Sequence, residues 1–163
     1  MHPKDPIRMA HKTSLGMVET YLADLSDDDL LFRPVESMNP IAWQLGHLLL
    51  SERQMLEFVS AGSSPPLPDG FADAYGRETP EHRDHSQYAT KAEYLDLLRA
   101  QRAASAAVLE SISDAELDAA GPPKMANYAP TKGALLLMIG MHQAMHIGQF
   151  VAVRRTLNKP VVI

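Results

Sequence analysis

From Gly133 to Val153 the chain runs without a single Asp, Glu, Lys or Arg. A segment that long and apolar either crosses a bilayer or lies buried on most sides within a helical protein. His142, Gln143, His146 and Gln149 decide between these, because polar side chains at such depths are expensive in lipid. The expectation is a core helix of a soluble bundle or dimer. The two histidines raise a further question. They stand four residues apart, about one turn of α-helix, so both rings leave the same side. Burying an imidazole without a partner costs about 1–3 kcal/mol. A shared metal ion satisfies both rings, and so do hydrogen bonds within a core or along a dimer seam. Spacing alone leaves both readings open.

Helical signals organise the rest of the chain. Asp5 and Pro6 read as an N-cap followed by proline at the first helical position. They open a helix over about 6–25 with Ile7, Ala10, Ser14, Val18, Leu22 and Leu25 inside. Asn39 and Pro40 repeat that signal for a second helix, about 40–60, almost wholly apolar in its first half. Thr90 with Glu93 forms a capping box for a third, about 91–112. Its inner stripe is Tyr94, Leu97, Leu98, Gln101, Val108 and Ile112. Thr131 caps the fourth, about 131–157, whose inward stripe is expected to run Leu135, Met138, Ile139, His142, Met145, His146, Gln149, Val153. Arg154 and Arg155 suit its negative end, and Asn158 and Pro160 close it.

Two short capped turns lie between the long helices, one from Ser26 and Asp29, the other from Ser113 and Glu116. They sit in "LSDDDL" and "ISDAEL", each followed by a proline and an apolar helix carrying Gly and His. A duplicated helix pair accounts for this, and so does chance recurrence of a common cap pattern. The region 61–89, with Gly62, Pro65, Pro66, Pro68 and Gly70, is long for a connection in a compact domain, which marks it as functional or locally disordered. It holds Phe71, Tyr75, His82 and His85.

The 163 residues suit one domain, 1–163, with a sizeable core. A net charge of −5 favours neither nucleic acid nor an anionic membrane surface. The chain has no cysteine, which excludes disulfides, thiolate metal ligands and a protein-borne thiol nucleophile. A thiol that takes part in the chemistry therefore arrives as a cosubstrate. The N-terminal "MHPKDPIRMAHKTS" holds no apolar run of signal-peptide type, and the expected location is the cytoplasm.

A third histidine, His47, sits in the second helix after Gly46. It shares a side with Gln44, Ser51 and Gln54, so a polar, partly wet face also explains it. Its interest comes from the pair on the fourth helix, since a bundle gathers ligands from facing helices into one interior site. Neutral imidazole suits zinc, nickel, iron and manganese. Three histidines with open positions make a reactive site rather than a closed structural one. Gln143 stands where a zincin protease needs glutamate, which removes that reading. Around the trio, His11 is a candidate fourth ligand or base, or a satisfied core histidine. Glu52 is a candidate to orient His47 or act as a base, or an exposed helix glutamate. Gln149 is a candidate hydrogen-bond donor behind the ligands. His82 and His85, beside Arg83 and Asp84, read as solvated or as carried by their loop over the site, and Met138, Met141 and Met145 as core filler.

"NPIAWQLGHLLLSE" followed much later by "GMHQAMHIGQF" resembles the DinB-like superfamily of four-helix bundles. Its members carry Gly-His on the second helix and His-x-x-x-His, commonly with glutamine three residues on, in the last. The matching positions are His47, His142, His146 and Gln149. The likeness in helix order covers nearly the whole chain, with its sharp motifs confined to the second and fourth helices. It implies an all-α four-helix bundle with long crossover connections and a divalent metal held by the three histidines, zinc or nickel first, iron or manganese next. It also implies a homodimer. Characterised relatives include S-transferases and isomerases that use a low-molecular-weight thiol. The reading that follows is transfer of such a thiol to a small-molecule electrophile. Its alternatives are a metal-dependent hydrolase and a non-catalytic metal- or ligand-binding module. No nucleic acid or membrane partner is expected.

Overall fold

The computed structural model describes residues 2–75 and 85–162. Four long helices carry the fold: α1 (Lys4–Leu22), α3 (Ile41–Val59), α5 (Lys91–Ser111) and α7 (Lys132–Thr156). Short helices α2 (Asp27–Leu31), α4 (Phe71–Tyr75) and α6 (Asp114–Leu117) sit in the connections. Among the described residues there is no strand, only an isolated bridge between Ala120 and Thr131.

Cross-helix bonds fix the directions. His11 meets the Leu136 carbonyl and Arg154 the Tyr21 carbonyl, so α1 and α7 run parallel. His146 meets Gln44, and Lys132 reaches the Val59 carbonyl, so α3 opposes α7. Lys4 reaches the Glu110 carbonyl while Arg99 pairs with Glu19, so α5 opposes α1. It follows that α3 and α5 are parallel. Each of α1 and α3 packs on both α5 and α7, which places α1 diagonal to α3 and α5 diagonal to α7. A parallel pair needs a connection that returns along the whole bundle, and residues 60–90 are that connection. The long stretch after α3 is thus a topological requirement.

The two halves repeat one order: long helix, short capped helix, long helix. Capping boxes at Ser26 with Asp29, Thr90 with Glu93 and Ser113 with Glu116 are all formed, and Thr131 accepts from the Ala134 N–H. The two caps expected before a proline are not. α1 starts at Lys4, and Asp5 lies within its first turn, accepting from the His2 N–H. Pro40 itself is the cap of α3, with no side-chain cap bond. The first-turn amides of a helix have no intrahelical partner, so proline is tolerated anywhere in that turn and does not mark its first residue.

α7 presents a different face to the core from the one expected. Its buried residues are Leu135, Leu136, Ile139, Gly140, Gln143, Ile147, Phe150, Val153 and Arg154. His142 and His146 are half-buried on one flank, while Met145, 64% exposed, and Gln149 face outward. Gly140 helps to set this rotation: a Cβ there would lie 2.9 Å from the backbone of Ala10, so α1 and α7 cross too closely for a side chain.

The other determinant is a buried polar cluster joining all four helices. Arg102 of α5 donates through Nε and one terminal nitrogen to Glu52 of α3, both bonds at 2.9 Å. That nitrogen also donates to Gln143 Oε1 at 2.9 Å. The other donates to the His11 carbonyl and to Ser14 Oγ. All five guanidinium donors are therefore matched. Ser105 adds a bond to Glu52 at 2.8 Å. Glu52 is thus neither exposed nor a partner of His47.

His11 is a core histidine, 3% exposed, with its Nε2 donating to the Leu136 carbonyl at 2.7 Å and its Nδ1 buried without a partner. Burial, helped by the Arg102 charge, lowers its pKa below the ordinary 6.5. The folded state then binds fewer protons than the unfolded chain, so stability rises with pH in this range. His11 contributes fully above about pH 6.5, and that contribution falls away as pH drops towards its folded value. Urea unfolding should show falling stability from pH 7.5 to 5. His11→Gln should flatten that slope, and an unchanged slope would remove His11 as a source.

Candidate metal centre

α3 and α7 run antiparallel in contact, and this brings His47 opposite His142 and His146. One ring nitrogen from each of the three lies within 4.8 Å of the others, and all three rings are half-buried. Ring centroids are 5.2 Å apart for His47–His142, 5.3 Å for His47–His146 and 4.8 Å for His142–His146. Among the described residues this is the one such group of potential ligands, and it contains no carboxylate. Burial lowers the His142 pKa and, helped by the neighbouring His142 and His47, takes His146 down to about 4. Both rings are therefore neutral at neutral pH, the state in which an imidazole ligates. Three imidazole nitrogen donors, with no competing acid, are compatible with a divalent metal.

The first turns of α3 shape the site. Trp43, one turn before His47, stacks on its ring at 4.9 Å between centroids and 7° between planes. The Trp43 Nε1–H is buried without a partner. Gln44 is 1% exposed, and its Oε1 lies 2.9 Å from His146 Nδ1. Gly46 is required by its neighbour: a Cβ there would sit 2.2–2.5 Å from ring atoms of Tyr75. Tyr75 is itself locked, bonded to the Tyr94 hydroxyl at 2.6 Å and to the Ala89 N–H at 2.9 Å. Gly46→Ala should cost about 1–3 kcal/mol by overpacking. A thermal melt checks this, and an unchanged midpoint would mean that Tyr75 moves freely.

Of the residues singled out in the sequence, His47, His142 and His146 come together. His11 and Glu52 belong to the polar core, and Gln149 makes no hydrogen bond to the trio among the described residues. His82 lies outside the described residues, and His85 enters only through the backbone of a short 3-10 turn, His85–Gln87. Gln44 was missed as a partner, although it shares a helix side with His47. A cavity of about 790 Å³ lies elsewhere, between α4 and the start of α5, walled by Phe71, Tyr75 and Tyr88. None of the three histidines lines it.

The DinB superfamily profile matches residues 10–150. That is most of the chain, and the chain belongs to the DinB superfamily. A search of curated proteins finds no match.

Proposed function

We propose that this protein is a metal-dependent enzyme that transfers a low-molecular-weight thiol to a small electrophile, with His47, His142 and His146 as the metal ligands. The observation that carries the reading is the convergence of three imidazoles without a carboxylate. When bound, a zinc or nickel ion there keeps its full charge and lowers the pKa of a thiol or water that binds beside it. The chain supplies no thiol of its own, so the sulfur nucleophile comes from solution. Three protein ligands leave a position for it. The stacked Trp43 restrains the His47 ring. In the transfer, the sulfur forms a bond to the electrophilic carbon, the leaving group departs with its electron pair, and the thiol proton passes to solvent.

Metal-loaded protein assayed with a low-molecular-weight thiol and an alkylating electrophile should consume both. Chelation should stop this and zinc or nickel should restore it. Loaded protein that leaves both reagents intact would overturn the S-transfer reading. Hydrolysis of an activated ester or amide without thiol would favour the hydrolase alternative, and metal binding with neither activity would favour the binding module.

We also propose a homodimer through the outward face of α7. That helix is long and apolar enough to cross a membrane by length and composition, yet only 39% of its most apolar window is buried within the chain. Met141 and Met145 are 50% and 64% exposed, beside the exposed Ala144, Gly148 and Ala152. An apolar patch of this kind marks an interface. Sedimentation at micromolar concentration should give a dimer, and Met145→Glu should shift it to monomer. A monomeric wild-type protein would contradict this.

A further inference from the structure

The Gln44 side chain has only one orientation open to it. Its Nε2 donates to the Asn39 carbonyl at 2.8 Å. A carbonyl only accepts, so the amide NH2 must face Asn39. Turning the amide over would set two oxygens against each other. The amide oxygen is thereby fixed towards His146 Nδ1 at 2.9 Å. An oxygen acceptor needs a hydrogen on the facing nitrogen. A ligating imidazole carries just one N–H, so the Nδ1 hydrogen leaves the lone pair on Nε2.

We propose that Gln44 is a positioning residue of the three-histidine centre, holding His146 as the Nδ1–H tautomer so that Nε2 is its metal donor. The inference rests on the trio being a metal centre. The local sequence explains why residue 44 can do this. The Gln44 backbone N–H bonds to the Pro40 carbonyl at 3.1 Å while its side chain takes the Asn39 carbonyl, so the amide is anchored to the start of its own helix. The chain begins α3 at Ile41 with no side-chain cap, and the Gln44 amide, as a donor, ties the first turn to the carbonyl of Asn39 before it. Free histidine favours a proton on Nε2, so a proton on Nδ1 reports the bond to Gln44. A hydrogen bond of this type orients a ligating ring and raises its basicity. Its loss typically weakens metal binding about 10–100-fold.

Two measurements test the proposal. Nitrogen-15 NMR of the metal-free wild type, with the His146 signals identified by their loss in His146→Ala, should show the proton on Nδ1. Zinc titration of Gln44→Met, which keeps the length and removes both bonds, should show binding weakened about 10–100-fold at unchanged stoichiometry. Helical circular dichroism should stay at the wild-type level. Gln149→Ala, at an exposed position, should bind as the wild type does. A wild-type His146 protonated on Nε2 would overturn the proposal, as would wild-type affinity in Gln44→Met. Should Gln44→Met fail to fold, the wild-type tautomer still decides. A wild type that binds no zinc would instead remove the metal reading itself, whatever the tautomer.

Discussion

Arg102→Met should destabilise the protein by about 3–5 kcal/mol, lowering its melting temperature by about 10 °C or more. The size follows from what is left behind. Glu52 is 3% exposed, and its partner on α5 supplies two of its hydrogen bonds. Removing the guanidinium strands a carboxylate in the core, together with Gln143 Oε1, Ser14 Oγ and the His11 carbonyl as acceptors. Deleting both charges is a different matter. Arg102→Met with Glu52→Leu should recover much of the loss, because a buried pair against an apolar replacement is often neutral. Chemical denaturation of the wild type and the two variants measures both arms. A single variant within about 1 kcal/mol of wild type would mean that water reaches Glu52 and that the cluster does not fix how the helices meet.

His142→Ala and His146→Ala should each weaken zinc or nickel binding by more than about 100-fold, beyond what the loss of a supporting hydrogen bond causes. Each removes one of three donors, and the alanine offers nothing in its place. The fold should survive. Two apolar clusters, one around Tyr94 and Phe150 and the other around Leu56 and Leu136, hold the bundle without the ion. A domain of this size does not depend on metal as a zinc finger does. Chelated wild-type protein should keep its helical circular dichroism. Unfolding on chelation at room temperature would make the centre structural and remove the proposed chemistry.

The four long helices were legible because their signals are local. A capping threonine marks its own boundary, as at Thr90 and Thr131 for the long helices, and a serine with an acid three residues on does so at Ser26 and Ser113 for the short ones. The histidine trio was legible for the same reason in part: residues 142 and 146 fix each other's direction, and the pair then drew in His47 from a facing helix, with family likeness in support. What stayed hidden depends on contacts across the fold. With apolar residues on every side of α7, periodicity could not select its inward face. Gly140 against Ala10 and Gln143 on Arg102 make that choice. Glu52 and Arg102 lie fifty residues apart, and each read alone is a surface charge. Gln44 gains its role only when α7 places His146 beside it.

Metal content of the double variant tests the centre most directly. Wild-type protein and His142→Ala/His146→Ala are stripped and titrated with nickel. The chain's only tryptophan, Trp43, serves as an optical reporter because its ring lies on His47, and elemental analysis after desalting gives the stoichiometry. The wild type should hold one ion per chain with its Trp43 fluorescence quenched. The double variant should hold essentially none and keep its fluorescence and helical signal. Nickel bound at full stoichiometry in the double variant, or none in the wild type, would contradict the three-histidine centre and the enzyme built on it.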